Sequence, residues 1–136
     1  MSLRKFLFAL VIVGAAFPSL AAPDHYSIDP THTFPSIEFS HMGISVWRGK
    51  FNKTSGKIIL DRAAKSGTVE IEIDTASINF GLAAMDEKAR SEDFFHTEKF
   101  PIATCTGTLK CFGEKPGIVD GQITIMGVNT PTDPQN

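Results

Sequence analysis

The stretch TVEIEID at positions 68–74 constrains the fold most. Val69, Ile71 and Ile73 fall on one side of an extended chain, and Thr68, Glu70, Glu72 and Asp74 fall on the other. A period of two with this contrast describes a strand in an antiparallel sheet with one apolar and one wet face. A second patterned stretch lies at 31–51, THTFPSIEFSHMGISVWRGKF. Ile37, Phe39 and His41 share one face there, opposite Ser36, Glu38 and Ser40. Met42-Gly43 interrupts the run, and Gly43 is expected to permit a bulge or sharp bend. Ser45, Trp47, Gly49 and Phe51 then share a face of the next strand. Eleven glycines and eight prolines in 136 residues supply turns on a scale that favours β structure over a helical bundle.

The remaining pattern is coarser. Residues 24–30 form a polar lead-in. Turns are expected at 52–56, 62–67 and 114–117, and strands at 57–61, 100–111 and 118–126, the last with Ile123 and Ile125 on one face. Residues 82–91 switch to helix formers, with Leu82, Met85 and Ala89 at helical spacing. Residues 127–136 are turn-rich and polar. The tally is about six strands, one short helix and no strand after the last turn. A barrel with a ligand cavity typically needs about eight strands, so the sheet is expected to be incomplete at its C-terminal side.

The N-terminus has the form of an export signal. Arg4 and Lys5 precede an apolar run at 6–17, and Ser19-Leu20-Ala21 gives a small-x-small cleavage pattern. The run falls short of the roughly 20 residues of a spanning helix. The expected organisation is a signal peptide at 1–21, directing export, and one domain at 22–136. Loss of the leader leaves 11 basic against 15 acidic side chains, which argues against a nucleic-acid partner. Cys105 and Cys111 could form a disulfide only if the chain folded back near Gly107. In one extended strand they stand roughly 20 Å apart, against the roughly 7 Å limit between Cα atoms of a bridge.

Catalytic and metal signatures are weak. His32 and His41 lack the converging ligands of a metal site, and His25 and His96 sit in polar segments. There is no Gly-x-Ser-x-Gly elbow, no Cys–His signature and no phosphate-binding glycine loop. Asp86, Glu87, Glu92 and Asp93 lie among Lys88 and Arg90, the pattern of a solvated helix face with local ion pairs. Catalytic and metal-binding residues are therefore expected to be none. The aromatic rings are more informative. Phe34, Phe39, Trp47, Phe51, Phe94, Phe95, Phe100 and Phe112 are many for a domain of this size, and in a small barrel many must point inward. Packed core and ligand contact are both open for each. Phe94-Phe95 is placed to form a mobile cap over a cavity mouth. His32, His41 and Arg90 are the candidate polar groups there.

With these residues in place, the chain resembles the YceI-like family of polyisoprenoid-binding, lipocalin-like periplasmic proteins. The resemblance is carried by His32, Phe39-x-His41, Gly43, Gly49-x-Phe51, Asp74-x-Ala76-Ser77-Ile78, Arg90-Ser91-x-Asp93-Phe94-Phe95, Lys99-Phe100-Pro101 and the run Gly121-x-Ile123-Thr124-Ile125-x-Gly127-Val128-x-x-Pro131. It departs at Met85 and at Lys88-Ala89, where family members have a basic residue and His-Leu, and at Cys105, where phenylalanine is common. The resemblance implies an all-β fold with one short helix, an antiparallel lipocalin-like barrel, here expected to lack its C-terminal strands. It also implies a carrier rather than an enzyme, holding an isoprenoid lipid such as a polyprenyl phosphate or a quinone. No cofactor is expected beyond that lipid. The partner is the lipid, with no nucleic acid, no membrane span, and a monomer or homodimer as the assembly. Two alternatives stand beside it: an enzyme or protective factor acting on a reactive quinone or lipid through a histidine or Cys105, and a strand-pairing interaction protein.

Overall fold

The computed structural model describes residues 22–110 and 117–132. The signal-peptide reading, Cys111, Phe112 and nearly all of the turn at 114–117 lie outside the described residues. Nine strands are described, all paired antiparallel, with one α-helix. The strands are β1 (Asp24–Ser27), β2 (Ser36–His41), β3 (Ser45–Phe51), β4 (Thr54–Asp61), β5 (Ser66–Asp74), β6 (Ile78–Asn79), β7 (Ile102–Lys110), β8 (Ile118–Ile125) and β9 (Val128–Pro131). The helix, α1, spans Ala83–Arg90. All-β character with one short helix is therefore as expected, while the strand count is corrected upward from about six.

The strands form two sheets. The larger runs β1-β4-β5-β7-β8-β9 and the smaller β2-β3-β6. The large sheet is a meander with two excursions. The β2–β3 hairpin is inserted between β1 and its partner β4, and β6 with α1 is inserted between β5 and its partner β7. Both excursions meet in the small sheet. Among the described residues neither sheet closes on itself, and β1 and β9 are the two outer strands of the large one.

The strands missed from sequence are those without alternation. β1 (DHYS) is exposed along its length and is held by backbone pairing to β4. Arg62 braces it from the β4–β5 turn, with Nε 3.0 Å from Asp24 Oδ2 and Nη2 donating to the Tyr26 hydroxyl at 2.9 Å. β9 follows a two-residue turn in which Met126 and Gly127 both take positive φ, 52° and 74°, so that Ile125 pairs with Val128. Such a turn matches the twist of paired strands.

The alternation read at 68–74 is realised from Thr68 to Ile73, while Asp74, expected outward, is half-buried at the strand end. Val69 is buried and Ile71 and Ile73 are half-buried, while Glu70 and Glu72 are exposed. Register extends this apolar face across the sheet: Ile58–Val69–Gly107–Gly121 in one row, Gly56–Ile71–Cys105–Ile123 in the next, and Thr54–Ile73–Ala103 in the third. The opposite face carries Lys57–Glu70–Thr106–Gln122, with Lys57 Nζ 3.0 Å from Glu70. The glycines facing each other in β7 and β8 let these strands approach closely. A Cβ on Gly121 would overlap the Thr106 carbonyl oxygen and lie 2.5 Å from Gly107 Cα.

One buried polar atom in this face has no partner among the described residues, the Thr54 hydroxyl. An unsatisfied buried hydroxyl costs about 1–3 kcal/mol of desolvation. Thr54→Val keeps the shape and removes that cost, so it should be neutral or raise stability by about 1 kcal/mol. Urea denaturation checks this, and a clear loss of stability would show that the hydroxyl is satisfied in solution.

Candidate functional site

The site is built where the two excursions meet the large sheet. Phe51, at the end of β3, and Ile78, in β6, are buried together with Ala89 of α1 and Phe95 of the following turn. Ile37, Phe39, Ile73, Phe80 and Phe94 pack around them. Ile73 belongs to the apolar face of the large sheet, so the ring cluster and that face are continuous. Together they form one continuous apolar surface, the trough, with the rings at one end and β7 and β8 at the other. Ile123 and Ile125 on its floor are 36% and 37% exposed.

The rings contact one another in edge-to-face, tilted and, for Phe39 with Phe80, stacked pairs. Phe51 and Phe95 centroids lie 5.5 Å apart with planes at 77°. Phe39 stands 5.8 Å from Phe94, 6.5 Å from Phe95 and 6.0 Å from Phe80. Trp47 continues the row, 6.3 Å from Phe80 and 6.0 Å from the imidazole of His41. These geometries satisfy the quadrupole preference of aromatic pairs. Phe80 is not among the rings singled out from the sequence. Its signal was Gly49, in the middle of a strand where glycine is normally unfavourable. A Cβ there would lie 2.7 Å from the Phe80 ring, so the absent side chain makes room for it.

The structure brings together Phe39, Trp47, Phe51, Phe94 and Phe95, with His41 at the rim. It places the other candidates elsewhere. His32 is exposed in a turn, its Nδ1 2.8 Å from Asp29 Oδ2. The Thr31 hydroxyl, then the Thr31 N–H, then His32 hold the Asp29 carboxyl below its usual range. Phe34 is exposed beneath the Lys50 ammonium, 4.5 Å from the ring centroid. Phe100 sits against His96, at 5.9 Å. The expected mobile cap is corrected for Phe95. It is 5% exposed, and its turn is fixed by Phe95 N–H donating to Ala89 O and Thr97 N–H donating to Arg90 O, at 3.0 and 3.1 Å.

The acidic cluster also divides. Asp93 pairs with Lys88, which keeps its carboxyl low. Asp86, read as solvated, is buried instead, and its Oδ1 accepts the Phe80 N–H at 2.6 Å. That bond fixes the β6–α1 connection and so aims the Phe80 ring. Arg90 turns back over the same connection, with Nη1 3.3 Å from Ala76 O and 3.5 Å from Ile78 O. It lies between two polar grooves, one of about 490 Å³ lined with Glu87, Glu92, His96 and Glu98, and one of about 310 Å³ lined with Lys53, Asp74 and Asp86. Cys105 is a free thiol on the trough floor between Ile71 and Ile123, and burial pushes its pKa up.

No group of three or more His, Cys, Asp or Glu side chains with metal-binding geometry occurs among the described residues, and no described helix is long and apolar enough to cross a membrane. The arrangement offers apolar contact over an open floor, with polar groups at its edge.

Comparison with known proteins gives consistent results. Residues 26–135 match the YceI-like domain. A UPF0312 protein of Shewanella sp. (strain W3-18-1) is 33% identical over 94% of this chain and 69% of its own length. A UPF0312 protein of Shewanella denitrificans is 35% identical over the same shares. Among solved structures, BcnA of Burkholderia cenocepacia superposes with a TM-score of 0.63 at 23% identity, over 71% of this chain and 61% of that one. The YCEI protein of Campylobacter jejuni gives 0.55 at 29% identity, over 79% and 64%. The chain thus spans less than two thirds of the length of either solved structure.

Proposed function

The chain belongs to the YceI-like family, and from that premise we propose that its trough holds the hydrocarbon chain of an isoprenoid lipid, a polyprenyl phosphate or a quinone, as a periplasmic carrier rather than a catalyst. The observation that supports this reading is the continuous apolar face from the ring cluster through Ile73, Ile71, Cys105 and Ile123, left partly open in a sheet whose other face is polar. Four strands at about 4.8 Å spacing make a floor about 14 Å wide, enough for several isoprene units. Each CH2 buried there contributes about 0.8 kcal/mol. A non-directional surface of this kind binds a branched hydrocarbon without selecting its length. The residues assigned to the hydrocarbon are the half-buried Phe39, Trp47 and Phe94, backed by the buried Phe51 and Phe95, with His41 and Arg90 nearest the polar edge.

The test is mass spectrometry of organic extracts of protein purified without detergent. A stoichiometric polyprenyl lipid or quinone is the expected result. Empty protein that also fails to bind added quinone or polyprenyl phosphate would overturn the reading. The enzymatic alternative through Cys105 has burial against it, since a raised pKa keeps the thiol protonated. Cys105→Ser should leave lipid uptake within about twofold, because it changes one small floor contact. A quinone-consuming activity lost in that variant would favour the enzyme instead.

A further inference from the structure

The most exposed large apolar side chains described lie together at one place, the tip of the β2–β3 hairpin. Met42 is 81% and Ile44 86% exposed, and Val46 follows on the outer face of β3. The turn is well defined: Met42 and Gly43 take positive φ of 55° and 71°, and the Ile44 N–H donates to His41 O at 3.0 Å. A fixed turn that holds two large apolar side chains in water gains nothing for the fold, because neither touches the core. Exposed apolar groups clustered in this way mark a contact surface.

The surroundings point to one kind of contact. From Phe39 to Leu60 the sequence has no acidic residue and four cations, Arg48, Lys50, Lys53 and Lys57, in a chain of net charge −2. Arg48 pairs with Glu38, Lys53 with Asp74 and Lys57 with Glu70, while Lys50 makes no ion pair among the described residues and stands over the Phe34 ring. Inward from the tip the side chains run without a break through His41 and Trp47 to Phe80 and Phe39, the ring end of the trough. An apolar tip, aromatic side chains behind it and one lysine without an ion pair set back from the tip form the pattern of a segment seated in a lipid interface.

We propose that the β2–β3 hairpin docks this protein on the surface of an anionic bilayer, with Met42 and Ile44 inserted among the acyl chains. The inference rests on the carrier reading to the extent that an isoprenoid cargo resides in a bilayer, and it places the trough beside that source. Docking itself needs no cargo.

The experiment uses the full-length chain and vesicles free of isoprenoids, either phosphatidylcholine alone or with a third phosphatidylglycerol, the lipids brominated on their acyl chains. Trp47 is the only tryptophan, so its quenching reports on the hairpin and not on the apolar run at 6–17. The expected result is quenching that is stronger on the anionic vesicles. In Met42→Ser/Ile44→Ser the half-saturating lipid concentration should rise about tenfold or more, from the loss of two inserted side chains. Both residues lie outside the core, so far-UV circular dichroism of the variant should match the wild type. Absence of quenching in the wild type, unchanged quenching in the variant, or equal quenching on neutral vesicles overturns the proposal. So does a homodimer, or a complex with another protein, that the same double substitution dissolves. Cargo in organic extracts with no quenching would overturn docking and leave the carrier reading standing. Quenching by a protein that neither carries nor takes up quinone or polyprenyl phosphate would do the reverse.

Discussion

Phe95→Ala should lower the free energy of unfolding by about 3–5 kcal/mol, the range for deleting a buried aromatic ring. The ring is wedged edge-on against Phe51 and stands beside Phe39, in the cluster that joins α1 to the small sheet. Its removal opens a void that the neighbouring strands cannot close, because Phe51 and Ile78 are fixed by pairing between β3 and β6. The measurement is urea denaturation followed by far-UV circular dichroism, with Phe95→Leu as the companion variant that keeps most of the volume. The leucine variant should recover more than half of the loss. If alanine costs less than about 1 kcal/mol, the ring is not a core element, and the cap reading of the 94–95 turn returns.

Gly121→Val should be about as damaging, at about 3 kcal/mol, for the opposite reason. The clash is with backbone, the Thr106 carbonyl and Gly107 Cα, so no side-chain rotation relieves it. β8 must move away from β7, carrying β9 with it and removing Ile123 from the trough floor. Lipid retention should fall together with stability. Gly49→Ala is the instructive contrast. Its new Cβ meets a side chain, the Phe80 ring, which can rotate, so it should cost less in stability while altering the ring end of the trough. Thermal melts of the two variants, read beside their lipid content, separate the effects.

The sequence made visible whatever follows a period of two. The inward set Val69, Ile71 and Ile73, and the shared faces of Phe39 with Trp47 and of Gly49 with Phe51, needed only alternation and a hairpin register. Elements held by something other than side-chain pattern were hidden. β1 and β9 are short, exposed edge strands stabilised by backbone pairing, and nothing in DHYS or VNTP alternates. Asp86 looked like one more charge on a wet helix, because its burial depends on where β6 leaves the Phe80 N–H. His32 was drawn toward the site by its place before an apolar strand. The local chemistry of Asp29, Pro30 and Thr31 instead closes a turn around it.

The two excursions that build the small sheet bear on how the molecule assembles and opens. The β4–β5 pairing is local and can form early, since short loops close at little entropic cost. The ring cluster needs both insertions to be placed at once, so it should condense late and loosen first. Amide exchange should accordingly be slowest in β5 and β7 and faster in β3 and β6. A protein arranged in this way can part its aromatic end while the large sheet stays intact, and a long, water-insoluble guest could then enter sideways, without being threaded through a mouth.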